Sequence, residues 1–231
     1  MNKTILITGN RKGIGRSLTE YFLKEGKNVI GCSRSGSDLA HKNYIHFECD
    51  VSDEKEVKKV VKNGYQRFGS IEVLINNAGI ASMNHSLLTP SSTVDQLFKT
   101  NFNGSFFFSR ECAKYMIKKR YGRIINFSTV AVPLNLEGEL IYASSKSAIE
   151  KMSMILSKEL SEFDITVNTI GPTPVETDLI KVVPKDKVDE ILNKQTLKRF
   201  GSIDDVLNVI KFFMSENSGF ITGQTIYLGG L

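Results

Sequence analysis

The sequence predicts an α/β protein built on a doubly wound parallel sheet. Short apolar, β-branched runs alternate with amphipathic segments along the whole chain; the runs are nearly continuously apolar; and polar or glycine-bearing residues recur directly after them. A strand covered by helices on both faces has no water-facing side and loses the period-two pattern of a half-exposed strand. In such sheets ligands bind beyond the carboxyl ends of the strands, near the point where strand order reverses. Functional residues are therefore sought at the ends of the runs.

The elements follow in order. "TILIT" (4–8) reads as a strand, Ile14 to Glu25 as a helix and "NVIGCS" (28–33) as the next strand. "IHFECD" (45–50) is followed by a helix with Val57, Val60 and Val61 on one face, and then by "EVLINN" (72–77). One helical span over about 93–119 leads to "RIINFS" (123–128), and a helix over about 142–160 leads to "ITVNTI" (165–170). Short helices around 186–194 and 203–214 precede a last strand, "QTIYLG" (224–229). No repeat, low-complexity tract or linker marks a boundary, so one domain over 1–231 is expected.

Composition narrows the function. With 231 residues and 41% of them hydrophobic, the chain can bury a sizeable core. No run approaches the roughly 18 uninterrupted apolar residues of a membrane span, and the start lacks the pattern of an export signal; a soluble, cytoplasmic protein with no membrane partner is expected. Cys32, Cys49 and Cys112 are odd in number and lack C-x-x-C spacing, which suits buried free thiols. His41, His46 and His85 show no metal-ligand spacing, so no metal is expected. The net charge of +5 is too small to imply nucleic acid by itself, and the dense run "KKRYGR" (118–123) lacks repeated basic and aromatic interleaving.

The first run ends in "TGNRKGIG", Thr8 to Gly15. Glycines at 9, 13 and 15 permit a tight turn and close backbone approach, while the following helix start offers unpaired N–H donors to a phosphate. The second run ends "CSRS". Ser33 stands where an acidic residue would bind a ribose 2′-hydroxyl, and Arg34 follows; with Arg11 and Lys12 nearby, the charge suits a 2′-phosphate, hence NADP(H). Tyr142 and Lys146, at i and i+4, share a helix face. A free tyrosine titrates near pH ~10, and a neighbouring ammonium lowers that value toward useful acid–base chemistry.

T-G-x-x-x-G-x-G resembles the glycine loop of the short-chain dehydrogenase/reductase family. "CDVS" (49–52), "NNAG" (76–79), Tyr142-x-x-x-Lys146 and "ITGQTIYLGG" (221–230) also match that family in order, so the resemblance covers essentially the whole chain. It implies a Rossmann-like fold, a nicotinamide cofactor and a homo-oligomer, tetramer or dimer. It places Gly9, Arg11, Lys12, Gly13, Ile14 and Gly15 around the cofactor phosphates, and Ser33 and Arg34 at the ribose. Asp50 and Val51 go to the adenine, and Asn77, Ala78 and Gly79 to the central strand end. Tyr142, Lys146, Pro172, Val175 and Thr177 go to the nicotinamide side.

The family's catalytic set maps onto Asn101, Thr129, Tyr142 and Lys146. The family places a serine thirteen positions before the tyrosine to bind the substrate carbonyl; here that position is Thr129, with Ser128 the alternative if the strand bulges. Asn101 matches a helix asparagine thought to hold a relay water. The usual Pro-Gly is replaced by Pro172-Thr173, with Pro174 next, which points to a changed local path and a stiffer substrate lid over about 175–200.

Among relatives the chain most resembles 3-oxoacyl-[acyl-carrier-protein] reductases, whose basic residues dock an acidic carrier. Arg120 fits that role, but Glu162 and Phe163 replace a second expected base. The expected substrate is a small-molecule or carrier-bound carbonyl, with a sugar or small ketone as the alternative. A non-catalytic NADP-binding regulator and a nucleic-acid module are the competing classes; intact Tyr142, Lys146 and Asn101 argue against the first.

Overall fold

The computed structural model describes residues 3–176 and 185–230. Its centre is a seven-stranded sheet in the order β3-β2-β1-β4-β5-β6-β7. The strands are β1 (Thr4–Thr8), β2 (Asn28–Ser33), β3 (Tyr44–Glu48), β4 (Val73–Asn76), β5 (Gly122–Phe127), β6 (Ile165–Gly171) and β7 (Thr225–Tyr227). Every pairing is parallel, so the carboxyl ends lie along one edge of the sheet and the order reverses between β1 and β4.

The apolar runs fill two cores at once. Leu6, Ile30, Leu74, Ile124 and Val167 face one side; Ile5, Ile7, Val73, Ile75, Ile125 and Phe127 face the other. Alternate residues of one strand thus enter opposite layers, which is why the runs show no polar alternation. The first layer is closed by α2 (Glu54–Phe68) through Val57, Val60 and Val61, and by α4 (Gly104–Lys119) through Phe108, Cys112 and Met116. The second is closed by α1 (Gly13–Lys24) through Leu18 and Phe22, and by α8 (Ile203–Met214) through Val206, Ile210 and Phe213.

Local signals set the helix ends. Asp53 caps α2 by accepting from the Lys55 and Glu56 N–H groups, and Gly69 ends it at φ 76°. Ser202 and Asp205 form a capping box on α8, where Arg199 also grips Asp205 with two bonds. The span expected as one helix over 93–119 is three pieces: α3 (Ser91–Leu97), a π-helical turn (Phe98–Asn103) and α4. Apolar periodicity cannot distinguish an inserted i→i+5 turn from continuous helix.

The remaining helices are α5 (Ala131–Leu134), α6 (Leu140–Glu159) and α7 (Lys185–Lys194). Of the lid expected over 175–200, residues 177–184 and hence Thr177 lie outside the described residues. Among the described residues no helix is long and apolar enough to cross a membrane.

Candidate active site

The glycine loop after β1 is held from two sides. Gly9 has φ 67°, and a Cβ there would lie 2.8 Å from the Ala78 Cα, so both conformation and space require glycine. Asn77 Nδ2 donates to the carbonyls of Thr8 (2.9 Å) and Gly9 (3.1 Å), and the Ala78 N–H donates to Thr8 Oγ1 (3.0 Å). The switch point between β1 and β4 is thereby fixed by side-chain bonds as well as by strand pairing. Helix α1 begins directly from this loop with no side-chain cap and no acid in its first turn. Its first N–H groups and partial positive charge fit a phosphate.

A cavity of about 600 Å³ opens over these strand ends. Gly9, Arg11, Lys12, Gly13 and Ile14 line it from the loop, and Ser33 and Arg34 line it from the end of β2. Asp50 and Val51 line it after β3, and Asn77, Ala78 and Gly79 after β4. Gly15 does not line it; a Cβ there would lie 2.5 Å from Asn77 Nδ2, so this glycine serves close packing behind the loop. Sequence reasoning missed the opposite wall, formed by Ser92, Asp95 and Gln96 of α3 with Lys99 and Thr100 of the π turn. No local pattern marks residues that reach a cavity from a neighbouring loop and helix.

The residues expected to carry acid–base chemistry gather at the end of β5 and the start of α6. The Thr129 hydroxyl lies beside the Tyr142 phenol. Burial pushes the phenol up to about 12; the Thr129 hydroxyl opposes this and the nearby Glu139 carboxylate adds to it. Lys146 is 4% exposed and donates from Nζ to the Phe127 carbonyl at 2.9 Å. Burial lowers its ammonium to about 8. Ser128 turns the other way and donates to the Glu150 carboxylate, which also accepts from the Tyr227 hydroxyl at 2.6 Å.

Asn101 sits fully buried in the π turn. Its Oδ1 accepts from the Ile80 N–H (2.9 Å), and its Nδ2 donates to the Ile80 carbonyl and to Ser145 Oγ, each at 3.0 Å. A Cβ on Gly79 would lie 3.2 Å from both Asn101 Oδ1 and Lys146 Nζ. The bare glycine therefore leaves a small polar space between the amide and the ammonium. Gly79 has no positive φ, so space rather than turn geometry explains it.

The segment after β6 follows its own path. Val130 N–H donates to the Pro172 carbonyl at 3.2 Å, which ties the segment to the end of β5. Thr173 is buried with its hydroxyl unpartnered, and its methyl occupies the space beside Gly201, where a Cβ would meet it at 2.7 Å. Val175 turns its side chain into the core and bridges to Gly201, so its side chain does not reach the cavity.

A second cavity, of about 710 Å³, lies at the start of α6 between His85, Val132, Leu136, Glu137 and Leu140. Leu87 and Leu88 stand exposed nearby in sequence, beside His85.

Comparisons with known proteins agree with this geometry. The family described as short chain dehydrogenase matches residues 3–188. The 3-oxoacyl-[acyl-carrier-protein] reductase FabG of Staphylococcus epidermidis is 32% identical over 240 residues, covering 100% of this chain and 98% of the relative. The enzyme of the same name from Buchnera aphidicola is 32% identical over 234 residues, covering 99% and 96%. Among solved structures, ElxO with NADP bound matches with a TM-score of 0.90 and 28% identity, covering 99% of this chain and 97% of that one. The ligand-free aldohexose dehydrogenase of Thermoplasma acidophilum matches with a TM-score of 0.90 and 27% identity, covering 100% and 94%. The chain belongs to the short-chain dehydrogenase family of oxidoreductases.

Proposed function

We propose that this protein is an NADP(H)-dependent oxidoreductase that interconverts a carbonyl and a secondary alcohol, with 3-oxoacyl thioesters as the first substrate class. The observation that carries the chemistry is the Thr129 hydroxyl on the Tyr142 phenol, with Lys146 one turn along the same helix. Arg11, Lys12 and Arg34 border the cavity over the strand ends and fit a 2′-phosphate, which supports NADP(H). ElxO, similar over nearly the whole chain, has NADP bound.

When bound, the nicotinamide supplies or accepts the hydride. Tyr142, with its phenol at about 12, is protonated at neutral pH, the state from which carbonyl reduction starts. It delivers that proton to the carbonyl oxygen. Thr129 donates to the same oxygen and stabilises the charge developing there. Lys146, at about 8, still carries its charge at neutral pH and favours the phenolate left behind. The polar space beside Gly79 suits a water joining Lys146 to Asn101, through which the phenolate is reprotonated. Residues 175–200 act as the substrate lid of one domain in this reading, and the chain works as a cytoplasmic homo-oligomer. Exposed Met154 and Ile155 on α6 offer an apolar face for self-association.

A second substrate reading, a sugar or small ketone, is favoured by the entrance charges. The Arg120 guanidinium is bonded to the Glu162 carbonyl at 2.6 Å, next to an acidic side chain. The second cavity is lined by Glu137 and by no lysine or arginine among the described residues. An NADPH-oxidation screen with acetoacetyl thioesters, keto-sugars and small diketones separates the two. Thioesters turning over no faster than unrelated ketones would remove the carrier-linked assignment. Tyr142→Phe is expected to cut turnover by at least about 10²-fold with NADPH affinity nearly unchanged; substantial residual turnover would overturn the mechanism.

A further inference from the structure

Behind the turn that carries Arg34 runs a chain of hydrogen bonds that the chemistry above does not use. Asn10, fully buried in the glycine loop, donates from Nδ2 to the Tyr44 hydroxyl at 2.7 Å and to Thr19 Oγ1 at 3.3 Å. The Tyr44 hydroxyl lies 3.1 Å from His46 Nδ1. His46 Nε2 lies 3.1 Å from the Ser35 carbonyl and 3.2 Å from Ser33 Oγ, which itself donates to that carbonyl at 2.7 Å.

The directions follow from the ends. The Asn10 amide already donates to the Tyr44 oxygen, so the phenol proton goes to Nδ1. The ring proton then sits on Nε2 and is given to Ser35. This requires a neutral imidazole, and burial lowers the His46 pKa, against the raising effects of the Ser35 carbonyl and Glu48.

The sequence makes room for the chain. A Cβ on Gly31 would sit 2.0 Å from Asn10 Nδ2, so the polar side chain fits only because β2 carries glycine there. Both ends of the chain belong to the cavity over the strand ends: one is the glycine loop, and the other is the turn whose Ser33, Arg34 and Ser35 line it. Arg34 itself is exposed and has no ion pair among the described residues, so its aim depends on how the turn beneath it is held.

We infer that His46 is a positioning residue for the 33–35 turn and a determinant of preference for NADPH over NADH. The inference rests on the NADP(H) reading above. By locking the Ser33 hydroxyl and the Ser35 carbonyl to the glycine loop, His46 pre-orders the backbone that presents Arg34 to a 2′-phosphate. Pre-ordering spares a ligand the entropy of organising the turn. NADH has no 2′-phosphate for Arg34 and gains little from the anchor.

The test is a binding titration, by cofactor fluorescence, of NADPH and NADH against the whole protein and the variants His46→Phe, His46→Gln and Tyr44→Phe, each checked by thermal melting. The wild type is expected to bind NADPH more tightly. His46→Phe should raise the NADPH Kd about tenfold and change the NADH Kd less than about twofold, as loss of a buried hydrogen-bonded anchor predicts. Tyr44→Phe, which keeps the ring and removes the hydroxyl that joins His46 to Asn10 while leaving the His46 contact with Ser35, should shift it about threefold in the same selective way. His46→Gln retains an N–H for the Ser35 carbonyl and should restore most of the loss. A wild type without preference for NADPH defeats the cofactor reading and this inference with it. A wild type that prefers NADPH, with variants that weaken both cofactors equally or neither, overturns the positioning role alone.

Discussion

Two hydroxyls stand side by side after β5 and point to opposite partners, Ser128 to Glu150 and Thr129 to Tyr142. Thr129→Val, nearly isosteric, removes the hydroxyl proposed to donate to the reacting oxygen and is expected to lower kcat about 10²–10³-fold. Ser128→Ala should leave kcat within about threefold while costing about 1–2 kcal/mol of stability, because the Glu150 carboxylate loses a donor. Steady-state kinetics paired with denaturant melts checks both. Lys146 carries a second, less intuitive prediction. Its folded pKa, about 8, lies below the ordinary 10.5, so the unfolded chain holds the extra proton over that interval. This contribution to stability is greatest above about pH 10.5, falls as the pH drops toward 8 and is lost below it. Lys146→Met should therefore abolish turnover yet stabilise the ligand-free protein by about 1–2 kcal/mol at pH 7, with the gain vanishing in strong alkali. Urea melts at pH 7 and above 10 check the sign. Counting back from Tyr142 singled out Thr129 in the sequence, and the fold sets that residue beside the phenol. The partners of Ser128, at positions 150 and 227, were not legible, because only the folded chain brings them together.

Strands and helices were read from the sequence to within a few residues wherever apolar periodicity was clear, as in α1, expected over Ile14 to Glu25 and found over Gly13–Lys24. The inserted π turn was missed because apolar periodicity does not separate an i→i+5 turn from continuous helix. The β2 strand shows how one small residue can determine a whole element. Gly31 lies in its buried centre, where glycine is an unfavourable strand former, and its place is explained only by Asn10 above it. Gly31→Ala is expected to cost roughly 1–3 kcal/mol by overpacking. Asn10→Ala in the same chain should recover part of that loss. A double-mutant cycle on urea midpoints measures the coupling, and simple additivity would show that the two side chains do not compete for one space.

At the scale of the whole molecule, the first of the two apolar layers also hides the chain's cysteine sulfur. Cys32, Cys49 and Cys112 are free and buried. The neighbouring Cys49 and burial raise the Cys32 thiol, and burial raises that of Cys112, so neither forms a thiolate at neutral pH. Native protein should react with a thiol reagent only as fast as it unfolds, and denatured protein should react at once with three equivalents; fast labelling of the native state would show that a layer opens locally. The architecture was legible because every segment repeats the same apolar signal, whereas the far wall of the cavity was not, since it depends on how segments distant in the chain come to face each other. The strand order has one more consequence, for the chain during its synthesis. β1 takes its second neighbour from Val73–Asn76. Until the ribosome has released that segment, the first strand presents a bare row of backbone donors and acceptors flanked by isoleucine and leucine. A nascent chain stalled before it is thus a sticky template for its own copies, and a natural client for a chaperone.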